Sequence, residues 1–448
     1  MGSKVLLSVF LFSICFAIAG VWTGALGRHF SSFKNKAKSD STVTRNATRV
    51  DFSYAFATPH RMTVALPDSS HKTLLDLEPG MLRLLWTYDN LRDKPIASFT
   101  TPQFYWNVNL QPELDGVPFS ASQWTRVDGW LPVLKNTYET QHTRLEMEVA
   151  GGETAAMIRV AVTNQDRQPH RLSLRCEKPG GWNGYNPGWV QPEMDADVLL
   201  AGWSDRADRI IIFSVGGDEN PVTAPSTLNL VWQLAPGESK TGWIVRPYAA
   251  IHAELPELRQ RDWAREFAFA KAAWTTLIGQ AAQIALPDPG VENAFYAGLA
   301  DCFIMREPVA DGSIAACPGT KDYRAPNPFE PLLVSILFDQ VGLHELAAGN
   351  TRMFLEQQGA DGNWADPAGW THLTWGASGM KCWVIMEHYR MTRDKNFLAA
   401  VYPRMVASSR WQARQRARTR NLVDGERPVV WGLLPRGMGD GGLKNDND

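Results

Sequence analysis

The chain has 448 residues, of which 44% are hydrophobic and 21% charged, a globular balance that excludes a disordered or collagen-like chain. Its 45 Lys and Arg against 47 Asp and Glu leave a formal net charge of −2, so no basic field exists to attract nucleic acid or an anionic membrane. The length allows roughly three domains, and the 18 Trp offer broad apolar faces that suit either sugar stacking or core packing.

Lys4 precedes the apolar run VLLSVFLFSICFAIAGV at residues 5–21, and Ala17-Ile18-Ala19 has the small-x-small form of a cleavage site. Residues 1–19 therefore read as a secretory signal peptide, which makes the product secreted or periplasmic. The competing reading is an uncleaved N-terminal membrane anchor, because a run of this length lies at the lower limit for a spanning helix. Residues 20–50 are rich in Ser, Thr, Lys and Asn, carry too few apolar side chains to repay ordering, and read as a disordered tether.

Between 51 and 250 the segments are short, β-branched and aromatic. Runs at 82–88, 144–149, 157–163, 170–176, 210–215 and 228–234 read as strands, and polar and apolar residues tend to alternate along 157–163 and 171–175. Asp115-Gly116, Asn164-Gln165-Asp166 and Pro236-Gly237-Glu238 are turn signals between them. Many such strands at short spacing predict an antiparallel β-sandwich. Nine Trp fall in this half and read mainly as packing residues.

After Pro256 the period becomes helical. Trp263, Phe267, Ala270, Trp274, Leu277 and Ala281 keep helical spacing, which predicts one long helix over 258–285 within a linker at 251–286. Further helices are predicted at 291–306, 328–340, 343–357, 375–390 and 394–418, forming a helical domain over 287–448. Residues 379–386 are apolar nearly all round, as in an enclosed helix, whereas Phe397, Leu398, Val401, Met405 and Ser408 mark a single stripe. Inner helices alternating with outer ones through short links imply concentric rings of antiparallel hairpins. The arginines at 404, 410, 414, 416, 418 and 420 lie on the outer helix and its C-terminal end, a solvated face.

Several familiar signatures fail. His344-Glu345-Leu346-Ala347-Ala348 lacks the second histidine of a zinc-protease helix. Gly376-Ala377-Ser378-Gly379 is a residue short of a nucleophile elbow, and Gly437 to Gly442 meets the dinucleotide pattern without a surrounding βαβ unit. Beyond the signal segment, Cys176, Cys302, Cys317 and Cys382 show no zinc spacing; Cys302 and Cys317 read either as a disulfide or, with the others, as small buried residues.

Two clusters remain. Asp361, Trp364, Asp366, Trp370, His372 and Trp375 place carboxylates beside aromatic faces in one interhelical loop, which is the chemistry of a saccharide site. They fit equally well as a turn, a helix cap and core tryptophans. In the second, Asp440 sits among Gly437, Gly439, Gly441 and Gly442, where the backbone allows close approach of a ligand, although glycines also simply make loops in which an exposed aspartate is more often solvated than catalytic.

In the order of its short motifs the chain resembles the six-hairpin glycosidases. The motifs are the run from Leu286 to Phe295, Asp361-Gly362, Trp375-Gly376, the run from Glu387 to Asp394, Tyr402-Pro403 with Trp411, and Gly432-Leu433-Leu434-Pro435. The resemblance implies a β-sandwich joined by a linker helix to an (α/α)6 barrel, and an inverting two-carboxylate hydrolysis of glycosidic bonds in an oligosaccharide or polysaccharide, with no metal or cofactor. It makes Asp440 the candidate acid or sugar-binding carboxylate. Five helices after the linker fall short of the twelve such a barrel needs. Residues 1–448 are accordingly expected to be incomplete and inactive, with the base beyond Asp448 and apolar faces of 375–391 left open. The alternative is a non-catalytic carbohydrate-binding or scaffold protein with the same fold.

Overall fold

The computed structural model describes residues 60–78, 80–87, 105–119, 124–177, 189–195, 198–203, 206–218, 227–308, 313–320, 324, 330–364 and 375–435. The signal and tether expected at 1–50 lie outside these residues.

The first half is built from strands β1 (His60–Val64), β2 (Thr73–Glu78), β3 (Met81–Thr87), β4 (Tyr105–Leu114), β5 (Val117–Pro118), β6 (Thr125–Arg126), β7 (Leu134–Glu139) and β8 (Thr143–Gly151). Next come β9 (Ala155–Asn164), β10 (His170–Glu177), β11 (Trp189–Asp195), β12 (Val198–Trp203), β13 (Arg206–Val215), β14 (Thr227–Leu234) and β15 (Ser239–Pro247). One antiparallel sheet runs β1-β2-β3-β4-β10-β14 with β5 on β4, and the other runs β11-β12-β13-β15-β9-β8-β7-β6. The turn signals sit where expected. Asp115 and Gly116, at φ 51° and 81°, close the β4–β5 hairpin with the two left-handed residues such a turn demands.

Both sheets feed one apolar cluster. Leu75, Leu84, Leu172, Leu174 and Trp232 come from the first sheet, and Leu145, Met147, Ile158, Val160 and Ile244 from the second. Each of these is essentially removed from water, worth about 1.5–3 kcal/mol per large aliphatic side chain. The other side of the second sheet, through Ala150, Met157, Phe213 and Val245, packs against Trp263, Phe267, Ala270 and Trp274.

Those last four residues lie at the expected spacing, but the linker is two helices rather than one over 258–285. Helix α1 (Leu255–Gln260) stops at Arg261, whose backbone is extended, and Asp262 caps α2 (Trp263–Ile278) by accepting from the Arg265 amide at 3.0 Å. Gly279 then closes α2 well short of residue 285.

Helices α3 (Pro289–Ile304), α4 (Glu330–Gln340), α5 (His344–Glu356), α6 (Ala377–Thr392) and α7 (Lys395–Ala417) follow, close to the predicted positions. Asp288 caps α3 and Asp394 caps α7, each through its own carboxylate. A short hairpin, β16 (Arg306–Pro308) with β17 (Ile314–Ala316), was not legible in the sequence. Helix α7 buries Val401, Ser408 and Trp411 along its single stripe. Helix α6 departs from the expected fully enclosed helix. It buries Ala377, Ser378, Lys381, Val384, Ile385 and His388 on one side, while Trp383, Met386 and Met391 are 41%, 38% and 44% exposed.

Cys176, Cys302, Cys317 and Cys382 are thiols, so Cys302 and Cys317 are not bridged. Both are buried, Cys302 within the apolar cluster under the second sheet and Cys317 beside Glu307. No described helix is long and apolar enough to cross a membrane.

Candidate functional site at the connector face

Link lengths single out one end of the helical layer. Residues 341–343 alone join α4 to α5, and 393–394 alone join α6 to α7, whereas 305–329 and 357–376 separate the other neighbours. Helices α4 and α6 both lie against α5 and against each other. Since α5 returns antiparallel between them, α4 and α6 run in the same direction. Their two long connectors, and the segment after α7, therefore join the helices at one end of the helical layer, and long loops on a rigid scaffold are frequent carriers of binding residues.

The three connectors are tied down there. In the first, the β17 residue Ala316 donates its amide to Asn350 Oδ1 at 2.9 Å, and Asn350 donates to Ser335 Oγ at 2.7 Å, fixing the hairpin on α5 and α4. In the second, Gly362 stands at φ 89°, and a Cβ there would lie 2.4 Å from the Ala407 carbonyl oxygen of α7. In the third, Arg416 Nε donates to the Gly432 carbonyl at 2.7 Å and Thr419 to the Leu433 carbonyl at 2.6 Å. Leu434 then packs on the Trp375–Trp411 pair, whose ring centroids are 5.5 Å apart.

The site residues expected from sequence divide accordingly. Trp364 is 0% exposed, and its indole donates to the Phe354 carbonyl at 2.8 Å. It is a core residue with no open face for a sugar. Trp375 is 8% exposed and serves as the seat for Leu434. Asp361 is exposed and folds its own turn, accepting from the Asn363 amide at 2.9 Å. Asp366, Trp370, His372 and Asp440 lie outside the described residues.

Sequence reasoning missed a buried polar seam where the first connector meets the sheets. Glu307 and Arg324 pair through two contacts of 3.1 and 2.5 Å, and both are nearly inaccessible. Lys72 is wholly buried beside them, donating to the carbonyls of Ser69 at 2.6 Å and Arg306 at 3.2 Å. Burial drives the Lys72 ammonium down to about 8, against the opposing pull of Glu307. Burial and the neighbouring cations hold the His71 imidazole down at about 4. That ring stacks on Tyr248, 4.6 Å between centroids, and Arg246 lies over the other partner ring at 4.9 Å. Asp68 is pushed upward by burial although Arg306 lies 3.4 Å away. These residues come from 68–72, 246–248, 306–307 and 324, so no local motif announces them.

At the opposite end, Asp339 binds three helices together: His388 Nδ1 lies 2.9 Å and His344 Nδ1 also 2.9 Å from its Oδ1. His388, which lies within a motif carrying the glycosidase resemblance, is therefore a fastening residue away from the connector face.

No protein-family profile and no curated protein sequence matches the chain. Among solved structures, a bacterial glucoamylase complexed with acarbose is similar over 81% of this chain, with 11% identity and a TM-score of 0.50. Two GH92 mannosidases from Bacteroides thetaiotaomicron are similar over 82% and 80%, at 7% and 9% identity, covering 66% and 62% of those chains, but their TM-scores of 0.27 and 0.29 carry no argument. The chain spans 59% of the glucoamylase's length. At this identity the likeness is one of fold: antiparallel sheets followed by helices in a glycosidase-like arrangement.

Proposed function

We propose that this is an exported, glycoside hydrolase-like protein of carbohydrate metabolism whose saccharide site is the connector face. In this reading residues 51–250 form a β-sandwich, 251–286 the linker, and 287–448 part of an (α/α)6 barrel. The observation that carries it is the gathering of three long connectors at one end of parallel helices, in a chain whose fold is like a glucoamylase's. Leu434, seated on Trp375 at that end, precedes the Gly-rich segment bearing Asp440 in the chain.

The chemistry proposed is inversion. One carboxylic acid protonates the leaving oxygen, while a carboxylate roughly 6.5–9.5 Å away deprotonates the attacking water. Asp440 is the proposed acid or sugar-binding carboxylate. Two described carboxylates of this face are otherwise engaged, Glu307 with Arg324 and Asp361 within its turn. That engagement favours the second reading, a carbohydrate-binding protein without hydrolysis. Asp440→Asn separates the two. In a catalytic protein it lowers turnover strongly and leaves binding intact, whereas loss of binding makes Asp440 a subsite residue. Unchanged cleavage removes Asp440 from the site.

A further inference from the structure

A group of side chains far from the connector face has ligand chemistry of its own. His142 Nδ1 lies 2.8 Å, and His170 Nε2 3.0 Å, from the same oxygen, Asp166 Oδ2. One ligand atom from each of the three residues lies within 4.8 Å of the others. The second imidazole nitrogen of His170 faces Asp115 Oδ2 at 2.6 Å. The carboxylate on the far nitrogen orients the ring so that Nε2 points toward Asp166 Oδ2, the arrangement by which an outer carboxylate presents a histidine to a metal. Without a metal, a proton on Nε2 fills this place as a hydrogen bond to Asp166 Oδ2, and a metal ion would displace that proton.

Each group is held in place by contacts outside the cluster. Asn164 Oδ1 accepts from the Asp166 amide at 2.9 Å, and the Arg167 amide occupies Asp166 Oδ1 at 2.6 Å, leaving Oδ2 for the histidines. Thr140 Oγ1 accepts from the amides of His142 and Thr143 at 3.1 and 2.9 Å, shaping the β7–β8 turn. Asp115 Oδ1 accepts from the Arg171 amide at 2.8 Å. His142, Asp166 and His170 keep side-chain exposures of 40%, 25% and 12%, so an ion has a route in.

We propose that His142, Asp166 and His170 form a site for a divalent transition metal of the zinc class, with Asp115 as the outer carboxylate that orients His170. Two imidazoles and one carboxylate suit zinc, whose bonds of about 2.0–2.2 Å separate tetrahedral ligand atoms by roughly 3.3 Å. The two nitrogen–oxygen separations therefore open by about 0.5 Å or less. Water completes the coordination. Since His142 belongs to a turn of the second sheet and His170 to a strand of the first, the ion clips the two sheets together at this edge.

The test uses the full chain stripped with a chelator and titrated with zinc alone. The expected result is uptake of about one ion per chain and, at a hundredfold excess over Kd, a melting temperature raised by roughly 5–10 °C. His142→Ala and His170→Ala should abolish both effects, and Asp115→Asn should weaken binding about 10- to 100-fold. Cobalt in the unmutated chain gives a readout independent of variant folding: the intense visible bands of a low-coordinate nitrogen and oxygen site support the assignment. Absence of stoichiometric uptake, uptake undiminished by both histidine variants, or only the weak spectrum of hydrated cobalt overturns it.

Discussion

Replacing Glu307 by Gln tests the buried seam. Glu307 and Arg324 are 2% and 4% exposed, so the variant leaves a guanidinium without its counter-charge in a site closed to water. The loss should be about 3–5 kcal/mol, the range for breaking a buried pair from one side. It falls at the upper part of that range because the wholly buried Lys72, which Glu307 also helps to keep charged, loses the same support. In thermal unfolding followed by circular dichroism this corresponds to a fall of roughly 6–20 °C. The double variant Glu307→Leu with Arg324→Met removes both charges and should recover at least half of the loss, giving a large coupling energy in a double-mutant cycle. A fall below about 1 kcal/mol in the single variant, or simple additivity in the double, would refute a buried and coupled pair.

The same seam sets a pH dependence. The Lys72 pKa is depressed on folding to about 8, so below that value the charge is buried at full cost, and stability rises as pH climbs from about 8 toward the unfolded value of 10.5. His71, held at about 4 against 6.5, contributes stability that is complete above 6.5 and lost as pH falls through about 4. Denaturation midpoints across pH should show both slopes, with Lys72→Met flattening the alkaline one and His71→Phe the acid one. Trp364→Ala should cost about 3–5 kcal/mol by cavity formation, while leaving any saccharide affinity measured on the folded variant unchanged; a selective loss of affinity would return Trp364 to the site. Trp383→Gln combined with Met386→Gln should reduce concentration-dependent association in light scattering, since both lie on the open side of α6. Equal association in the variant would assign it to another surface.

The elements were largely legible because their signals are local. The stripe Trp263-Phe267-Ala270-Trp274 and the alternation in β9 report which face meets a core, and Asp288 and Asp394 mark helix starts by capping chemistry. The break between α1 and α2 was missed because apolar spacing continues across Arg261-Asp262, where only the capping carboxylate marks a boundary. Trp364 was misleading for a different reason: a tryptophan in a loop sequence reads the same whether its ring meets solvent or the Phe354 carbonyl. The polar seam and the His142–Asp166–His170 group were out of reach. Their members lie on separate turns and strands, joined only by tertiary pairing, and neither leaves a periodic or spaced motif.

The most direct test of the connector face as a saccharide site is hydrogen–deuterium exchange of the chain with and without a panel of oligosaccharides. At least one oligosaccharide should slow exchange together in peptides covering 305–329, 357–376 and 418–440. No saccharide-dependent change in those connectors, or protection confined to the short links at 341–343 and 393–394 or to the sheets, would contradict the account.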